Sequence, residues 1–404
     1  MIHNVLVLAS AALPDSRSDR LHLGLSADPR GAGRGEEIMR FVRLEALGPT
    51  AAVLLCRLMI RCGGTGRPAG ARRGAGRAVL LGGGGRAFAT MLPLARRRPV
   101  TRDPALQIEE AFERAGTPPR SLALRRGRLS LDDGPIVMGI LNVTPDSFSD
   151  GGRFGRPRQA IEQALRMADE GAAIIDVGGE STRPGSHPVP LKEELRRVLP
   201  VLEGLRRRLA RRRARSPLIS IDTTKAEVAR RAAEVGADMV NDISGLSFDP
   251  AMPAIVAETG LPVVVQHIRG RPRTMQRSPR YAHLLPEIAA FLRRQIALLS
   301  SAGVRPDRIV IDPGLGFGKR RRHNIAILRH LHVLRSLGLP ILIGASRKSF
   351  LSGALELPIP ERLEVSLAAE ALALAGGADI IRAHDVREAV RVARLCHAVL
   401  HGPT

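Results

Sequence analysis

Polar groups crowd the ends of apolar runs in this chain, and their types suit anions, a hard cation and a heterocycle. The stretch GILNVTPDSFSDGG, residues 139–152, starts apolar and breaks into Asn142, Thr144, Pro145, Asp146, Ser147 and Asp150. Seven further runs end the same way: Asp176 followed by GGESTRPG, Asp222-Thr223-Thr224-Lys225, Asn241-Asp242, Gln266-His267, Asp312, Ser346-Arg347-Lys348-Ser349, and Arg382 with His384-Asp385. Thr182, Arg183, Arg382 and His384 point to an anion, because a guanidinium grips phosphate with two parallel bonds and an imidazole shares the load. Asn142 offers a neutral carbonyl oxygen, suited to Mg2+ that keeps most of its waters and takes other ligands from a phosphorylated substrate. Asp222, Asp312 and Asn241 would form the opposite wall, acceptors and an amide able to read a heterocycle with several N–H donors. Taken singly, an Asp or Asn after a strand is a helix cap, and Asp222 and Asp385 stand where caps stand. Polar ends on all eight runs together argue for a shared pocket.

Composition adds to this. The chain has four lysines, Lys192, Lys225, Lys319 and Lys348, among 62 basic residues. Three of the four follow an apolar run, which suggests a place where a compact ammonium is needed rather than a planar fork. Asparagine is as scarce, and two of its four positions, Asn142 and Asn241, end runs. DPGLGFGK, residues 312–319, is neither a Walker A loop, which needs Gly five residues before GK and Ser or Thr after it, nor a dinucleotide fingerprint. Its glycines are expected to let backbone pass close to a flat ligand.

The elements that must position these groups follow from periodicity. Runs rich in Ile, Val and Leu at 135–142, 173–178, 217–222, 238–243, 262–267, 308–312, 340–345 and 379–383 alternate with helical patterns such as QAIEQALRMADEG and KAEVARRAAEVG. Continuous apolarity marks strands buried on both faces of a parallel sheet. Eight such alternations predict an α/β fold of the (β/α)8 TIM-barrel type, whose strand C-termini converge on one mouth. A doubly wound open sheet is the alternative, since strand order is not readable from periodicity.

Ahead of the barrel, residues 1–130 read as an Arg/Gly/Ala-rich extension, in part disordered, with the catalytic barrel at 131–404. Between Glu45 and Asp103 there is no acidic residue, and RPAGARRGAGR and LLGGGGRAF read as loops. Gly82 to Gly85 reads as a flexible connector, without the strand–loop–helix context of a phosphate loop. The net charge of +23 comes with one Tyr and no Trp, so base stacking has few platforms and no nucleic-acid partner is expected. A field that draws in small anions accounts for the charge as well. No apolar run approaches the roughly 18 residues of a membrane span, and MIHNVLVLASAAL lacks the basic start of a signal peptide. Three cysteines without CxxC spacing point to reduced thiols and the cytoplasm.

In order, GILNVTPDSFSDGG, IIDVGGESTRPG, SIDTTK, VNDISG, IDPGLGFGK, GASRKS and RAHDV resemble the dihydropteroate synthase family over residues 135–400. The resemblance implies a barrel enzyme of folate biosynthesis, a transferase that joins 7,8-dihydropterin pyrophosphate to p-aminobenzoate and releases pyrophosphate. By similarity Asp222, Asn241, Asp312 and Lys348 would hold the pterin, with Asp176 close by and Arg382 stacking on it. Asn142 would bind Mg2+, while Thr182, Arg382 and His384 would contact the pyrophosphate end. Phe148, Thr182, Arg183, Pro184, Phe317 and Ser349 would surround the aminobenzoate. The chain departs from the family pattern at VVVQHIRG, where Gln266 and Ile268 replace methionines. A homodimer through late helices is also implied, and EVSLAAEALALAGGA, residues 364–378, is apolar enough to serve. Pterin-binding methyltransferase modules would share the barrel and the acidic wall but would not need the SRK and STRPG loops.

Overall fold

The structure, a computed structural model, describes residues 4–9, 40–69, 77–117, 119–144, 155–212, 216–353 and 356–402. Two compact units divide the chain: residues 1–118 with 281–290 and 330–338 form one, and 119–280, 291–329 and 339–404 the other.

The described residues of the first unit are folded, the glycine run included, while residues 70–76 of RPAGARRGAGR lie outside them. The strands of the unit are β1 (Asn4–Ala9), β2 (Arg40–Leu47), β3 (Thr65–Pro68) and β4 (Arg77–Gly83), in an antiparallel sheet of order β1-β2-β4-β3. Helices α1 (Pro49–Arg61), α2 (Gly85–Arg96) and α3 (Pro99–Gly116) accompany it. Val42, Leu44, Leu55, Met59, Leu81, Met91 and Ile108 form one buried cluster. The glycine run is therefore no connector: β4 ends at Gly83 and α2 begins at Gly85. The reason is packing, because a Cβ at Gly82 would lie 2.5 Å from the Phe41 ring and one at Gly83 2.4 Å from Met59 Cε. Sequence periodicity missed this because only four apolar residues, Ala78 to Leu81, precede the glycines.

The second unit begins at Pro119, ahead of the boundary expected near 130. A hairpin of β5 (Ser121–Ala123) and β6 (Arg128–Ser130) comes first. The eight predicted runs then appear as β7 (Ile136–Asn142), β8 (Ile174–Gly178), β9 (Leu218–Asp222), β10 (Met239–Asp242), β11 (Val263–Gln266), β12 (Ile309–Asp312), β13 (Leu342–Ile343) and β14 (Ile380–Ala383). All neighbours pair in parallel, in the order β12-β11-β10-β9-β8-β7-β14-β13, and the two ends of the sheet meet at a bridge between Ile311 and Ile341. This is the α/β barrel expected from the alternation. Its helices are α4 (Gly155–Asp169), α5 (Leu191–Leu209), α6 (Ala226–Glu234), α7 (Met252–Thr259), α8 (Leu284–Ser301), α9 (Arg321–Arg329), α10 (Leu363–Ala375) and α11 (Val386–His401).

The strand interior is built in rows. Met138, Ile174, Met239, Val264, Val310, Leu342 and Ile380 meet in one cluster, joined by Leu122 and Leu129 of the hairpin. Side chains two residues apart on a strand share a face. The next inward row therefore carries Asp176, Asn241, Gln266, Asp312 and Arg382, set on an apolar floor.

Candidate active site

Three residues of that polar row, Asp176, Asn241 and Arg382, meet directly with Asp222 at the end of β9. Arg382 Nε donates to Asp176 Oδ2 at 2.6 Å and Arg382 Nη2 to Asp222 Oδ2 at 2.7 Å, while Asn241 Nδ2 donates to Asp176 Oδ2 at 2.8 Å. Asp176 is fully buried and its Oδ1 has no hydrogen-bond partner. Burial pushes the Asp222 carboxyl up to about 8, against the pull of Arg382 and with Asp176 adding to the rise. Two carboxylates facing one guanidinium thus leave room for a proton, and a ligand with N–H donors can replace it. Arg382, its side chain 20% exposed, lies against this pair of acids, whose charge offsets part of the cost of withdrawing the guanidinium from water.

The cap reading of Asp222 and Asp385 does not hold. Helix α6 is preceded by Lys225 without a side-chain cap, and Asp249 Oδ2 takes the Ala226 N–H at 2.8 Å. Asp385 stands at the N-terminus of α11 but bonds no helix N–H there, and its carboxylate instead pairs with Arg347. Asp242 turns away from the pocket, since Oδ1 accepts from Ser244 and Oδ2 from the Leu246 N–H.

A second wall lies on the loop after β12. Asp312 Oδ1 accepts the Gly314 N–H at 2.6 Å, and burial raises its carboxyl while Lys348 pulls the other way. Lys348 Nζ donates to Leu315 O and lies 4.9 Å from the centre of the Phe317 ring. Burial lowers the Lys348 amine to about 8, with Asp312 opposing the fall. Two of the loop glycines are required by backbone packing, while a Cβ at Gly316 would lie 3.3 Å from Lys348 Cδ, on the side of the pocket. Gly314 and Gly318 have φ of +69° and +63°, and a Cβ there would lie 2.0 Å from His267 O and 2.2 Å from Arg269 O. They let the loop pack on the chain that follows β11.

The anion side is assembled from β8, β13 and β14. His384 accepts or donates at Nδ1 to Ser346 Oγ, 3.1 Å away, and the same oxygen takes the His384 N–H. Burial lowers the imidazole to about 4, with Arg382 and Arg347 adding to the fall, so His384 is neutral near pH 7. Arg183, on the loop with Thr182 and Pro184, adds to that fall. The same loop is tied down where Gly185 N–H donates to Pro272 O at 3.1 Å. Ser349 opens a short helical turn, Ser349–Leu351, just after Lys348. Asn142 ends β7 half-buried, and Phe148 lies outside the described residues. Among the described residues no group of three or more His, Cys, Asp or Glu could hold a metal. A cation that draws one neutral oxygen from Asn142 and the rest from water and substrate fits that setting.

Sequence reasoning missed Glu194. It is fully buried on α5, accepts from Thr223 Oγ1 at 2.6 Å, and shares Lys225 Nζ with Glu180. This clamp joins the loops after β8 and β9. Nothing in LKEELRR distinguishes Glu194 from an ordinary solvated first-turn acid. The three lysines that follow strands all sit in tight surroundings: Lys225 between two carboxylates, Lys319 among carbonyls and Lys348 beside Leu315 O.

Comparison with known proteins follows the same residues. The pterin binding enzyme family matches residues 138–384. A dihydropteroate synthase of Synechocystis is 49% identical over 264 residues, covering 65% of this chain and 89% of that protein. The barrel is similar to the solved structure of Yersinia pestis dihydropteroate synthase with a sulfonamide drug, at 43% identity and a TM-score of 0.64, covering 69% of this chain and 98% of that one. It is also similar to the Xanthomonas albilineans enzyme in complex with 7,8-dihydropteroate, at 39% identity and a TM-score of 0.62, covering 70% and 100%.

Proposed function

We propose, for a chain that belongs to the pterin-binding enzyme family and within it to the dihydropteroate synthases, that the barrel mouth joins 7,8-dihydropterin pyrophosphate to p-aminobenzoate in folate biosynthesis. The observation that carries this reading is the Asp176–Arg382–Asp222 bridge with Asn241 on the same carboxylate, facing the Lys348–Phe317 wall. A pterin ring presents several N–H donors, and the acids with Asn241 and Asp312 complement them. The similar Xanthomonas enzyme was solved in complex with 7,8-dihydropteroate, which supports this reading.

In this mechanism the methylene C–O bond breaks and pyrophosphate leaves with the electron pair. The aromatic amine then forms the C–N bond and loses a proton to solvent or pyrophosphate. Preorganised charge does the work, without a protein nucleophile. Asp222, Asn241, Asp312 and Lys348 hold the pterin and Asp176 orients Arg382, which flanks the ring. Thr182, Arg382 and neutral His384 receive the pyrophosphate, while Arg183, Pro184, Phe317 and Ser349 line the amine side. Mg2+, held through Asn142, would neutralise charge on the leaving group.

The working unit is a homodimer in the cytoplasm. Leu372 of α10 and Leu395, Val399 and Leu400 of α11 are 63%, 67%, 74% and 48% exposed, an apolar set on neighbouring late helices. The three cysteines are free, as suits a reducing compartment. Among the described residues no helix is long and apolar enough to cross a membrane.

The test is pyrophosphate release by the purified protein with both substrates and Mg2+. Turnover should require both substrates, and Lys348→Ala or Asp222→Ala should lower kcat by roughly 100-fold or more. A folded protein that binds the pterin without turnover would point instead to a methyltransferase-like binder.

A further inference from the structure

Lys319 has no part in the reaction just described, yet it is only 2% exposed and enclosed by backbone. Its Nζ lies 2.8 Å from Gly314 O, 3.0 Å from Phe317 O, 3.2 Å from His267 O and 2.9 Å from His267 Nδ1. Two of these carbonyls belong to the loop after β12, and the others to the residue that follows β11. Burial pushes the Lys319 ammonium well below its usual range, and also the His267 imidazole. The tie survives either protonation state. An ammonium gives three N–H groups to these acceptors, and an amine gives two and accepts one from the His267 ring. Burying such a group is costly unless its bonds are needed.

What the cage holds is the wall that faces the amine. Leu315, whose O receives Lys348 Nζ, sits between the caged carbonyls of Gly314 and Phe317, and Phe317 itself carries the ring that lies 4.9 Å from that nitrogen. Gly316 between them donates its N–H to Asn324 Oδ1 of α9 at 2.8 Å, so the loop is braced from two sides. Its turn is also closed by the Phe317 N–H on Gly314 O at 3.1 Å.

We propose that Lys319 is a positioning residue for the aromatic amine: by tying Gly314 and Phe317 to His267 it keeps the Phe317 ring and the Leu315 carbonyl in register with Lys348. This rests on the synthase reading above. Lys319 touches neither substrate and acts through the loop. Of the groups around the pterin, Asp176, Asp222 and Asn241 stand on β8, β9 and β10, outside the cage, while Asp312 and Lys348 meet its loop only at the Gly314 N–H and the Leu315 carbonyl.

Full-length protein is assayed with dihydropterin pyrophosphate and p-aminobenzoate. Wild-type turnover decides the synthase reading, and its absence removes both that reading and this one. With wild-type turnover in hand, Lys319→Met should lower kcat/KM for p-aminobenzoate roughly 10- to 100-fold through misplacement, while the pterin pyrophosphate Kd weakens by at most about fivefold, since among its contacts only Asp312 and Lys348 bond this loop. In a Phe317→Ala background the Lys319→Met effect on the amine should largely vanish, because the two act as one unit. Equal losses for both substrates, or additive losses in the double variant, would mean a merely structural role and overturn the proposal. If Lys319→Met does not fold, His267→Phe takes its place, since it keeps the ring packed edge-on at 5.0 Å from Phe291 and removes Nδ1. A raised KM for the amine alone supports the proposal there, and an unchanged one overturns it.

Discussion

Arg382 lies between two carboxylates, and its side chain has the shape for that task. A guanidinium donates from separate nitrogens in a fixed fork, whereas an ammonium is a point charge. Arg382→Lys should therefore leave Asp222 or Asp176 without a partner, weaken pterin binding and cost about 3 kcal/mol of stability, read by calorimetry and urea unfolding. Unchanged stability would mean that the acids find other partners. Activity should also follow pH in a bell centred near 8, because Asp222 sheds its proton and Lys348 loses its charge in that region. Below it Asp222 is protonated and accepts fewer bonds, and above it Lys348 is neutral. Asp222→Asn should abolish the acid limb of kcat/KM and Lys348→Arg should move the alkaline limb upward; a flat profile in the wild type would sink both assignments. These residues were legible in the sequence because each stands at the end of an apolar run. Glu194 was not, since its burial depends on where α5 lies and not on its neighbours in the chain.

At the scale of elements, α10 carries an acid where an apolar helix would be expected. Glu370 is 2% exposed, its Oε2 has no hydrogen-bond partner, and burial with the nearby Asp385 raises its carboxyl from 4.5 to about 8. The folded state thus holds a proton that the unfolded state releases between those values. Stability from this group is complete below about pH 4.5 and is lost as pH rises through about 8. Glu370→Met should remove that dependence, leaving stability near pH 4 little changed and raising it by about 4 to 5 kcal/mol at pH 9. Thermal melts across that range check it, and parallel curves for the two proteins would contradict it. The apolar stretch of α10 was readable in the chain, but the fate of one acid on it was set by its burial beside Asp385, which follows β14.

For the whole molecule, two properties of the surface carry expectations. The net charge of +23 should speed encounter with a pyrophosphate substrate. Raising salt from about 50 to about 500 mM should then lower kcat/KM for the pterin substrate severalfold, with less effect on p-aminobenzoate. The exposed leucines and Val399 of the late helices should be covered by a second copy. Light scattering should find a dimer, and Leu395→Asp with Val399→Asp should halve the mass; a monomeric wild type would refute the interface. The first unit was hidden in the sequence for a compositional reason. Its short strands are interrupted by glycines that the packing of Phe41 and Met59 requires, so local composition reads as loop.

The order of strands and helices, the buried character of each barrel strand and the polar chemistry at their ends were determined by the sequence alone, since period and composition are local properties. Which polar group meets which was decided only by the tertiary structure. Arg382 bonds Asp176 across 206 residues and Asp222 across 160, pairings that exist because barrel closure sets β14 beside β7 and curves β8 and β9 into the same mouth. The same closure set Gly314 and Gly318 against the backbone that follows β11 and enclosed Lys319 among carbonyls. Chain order cannot encode such meetings directly, because they depend on the angle and stagger at which eight strands close on themselves.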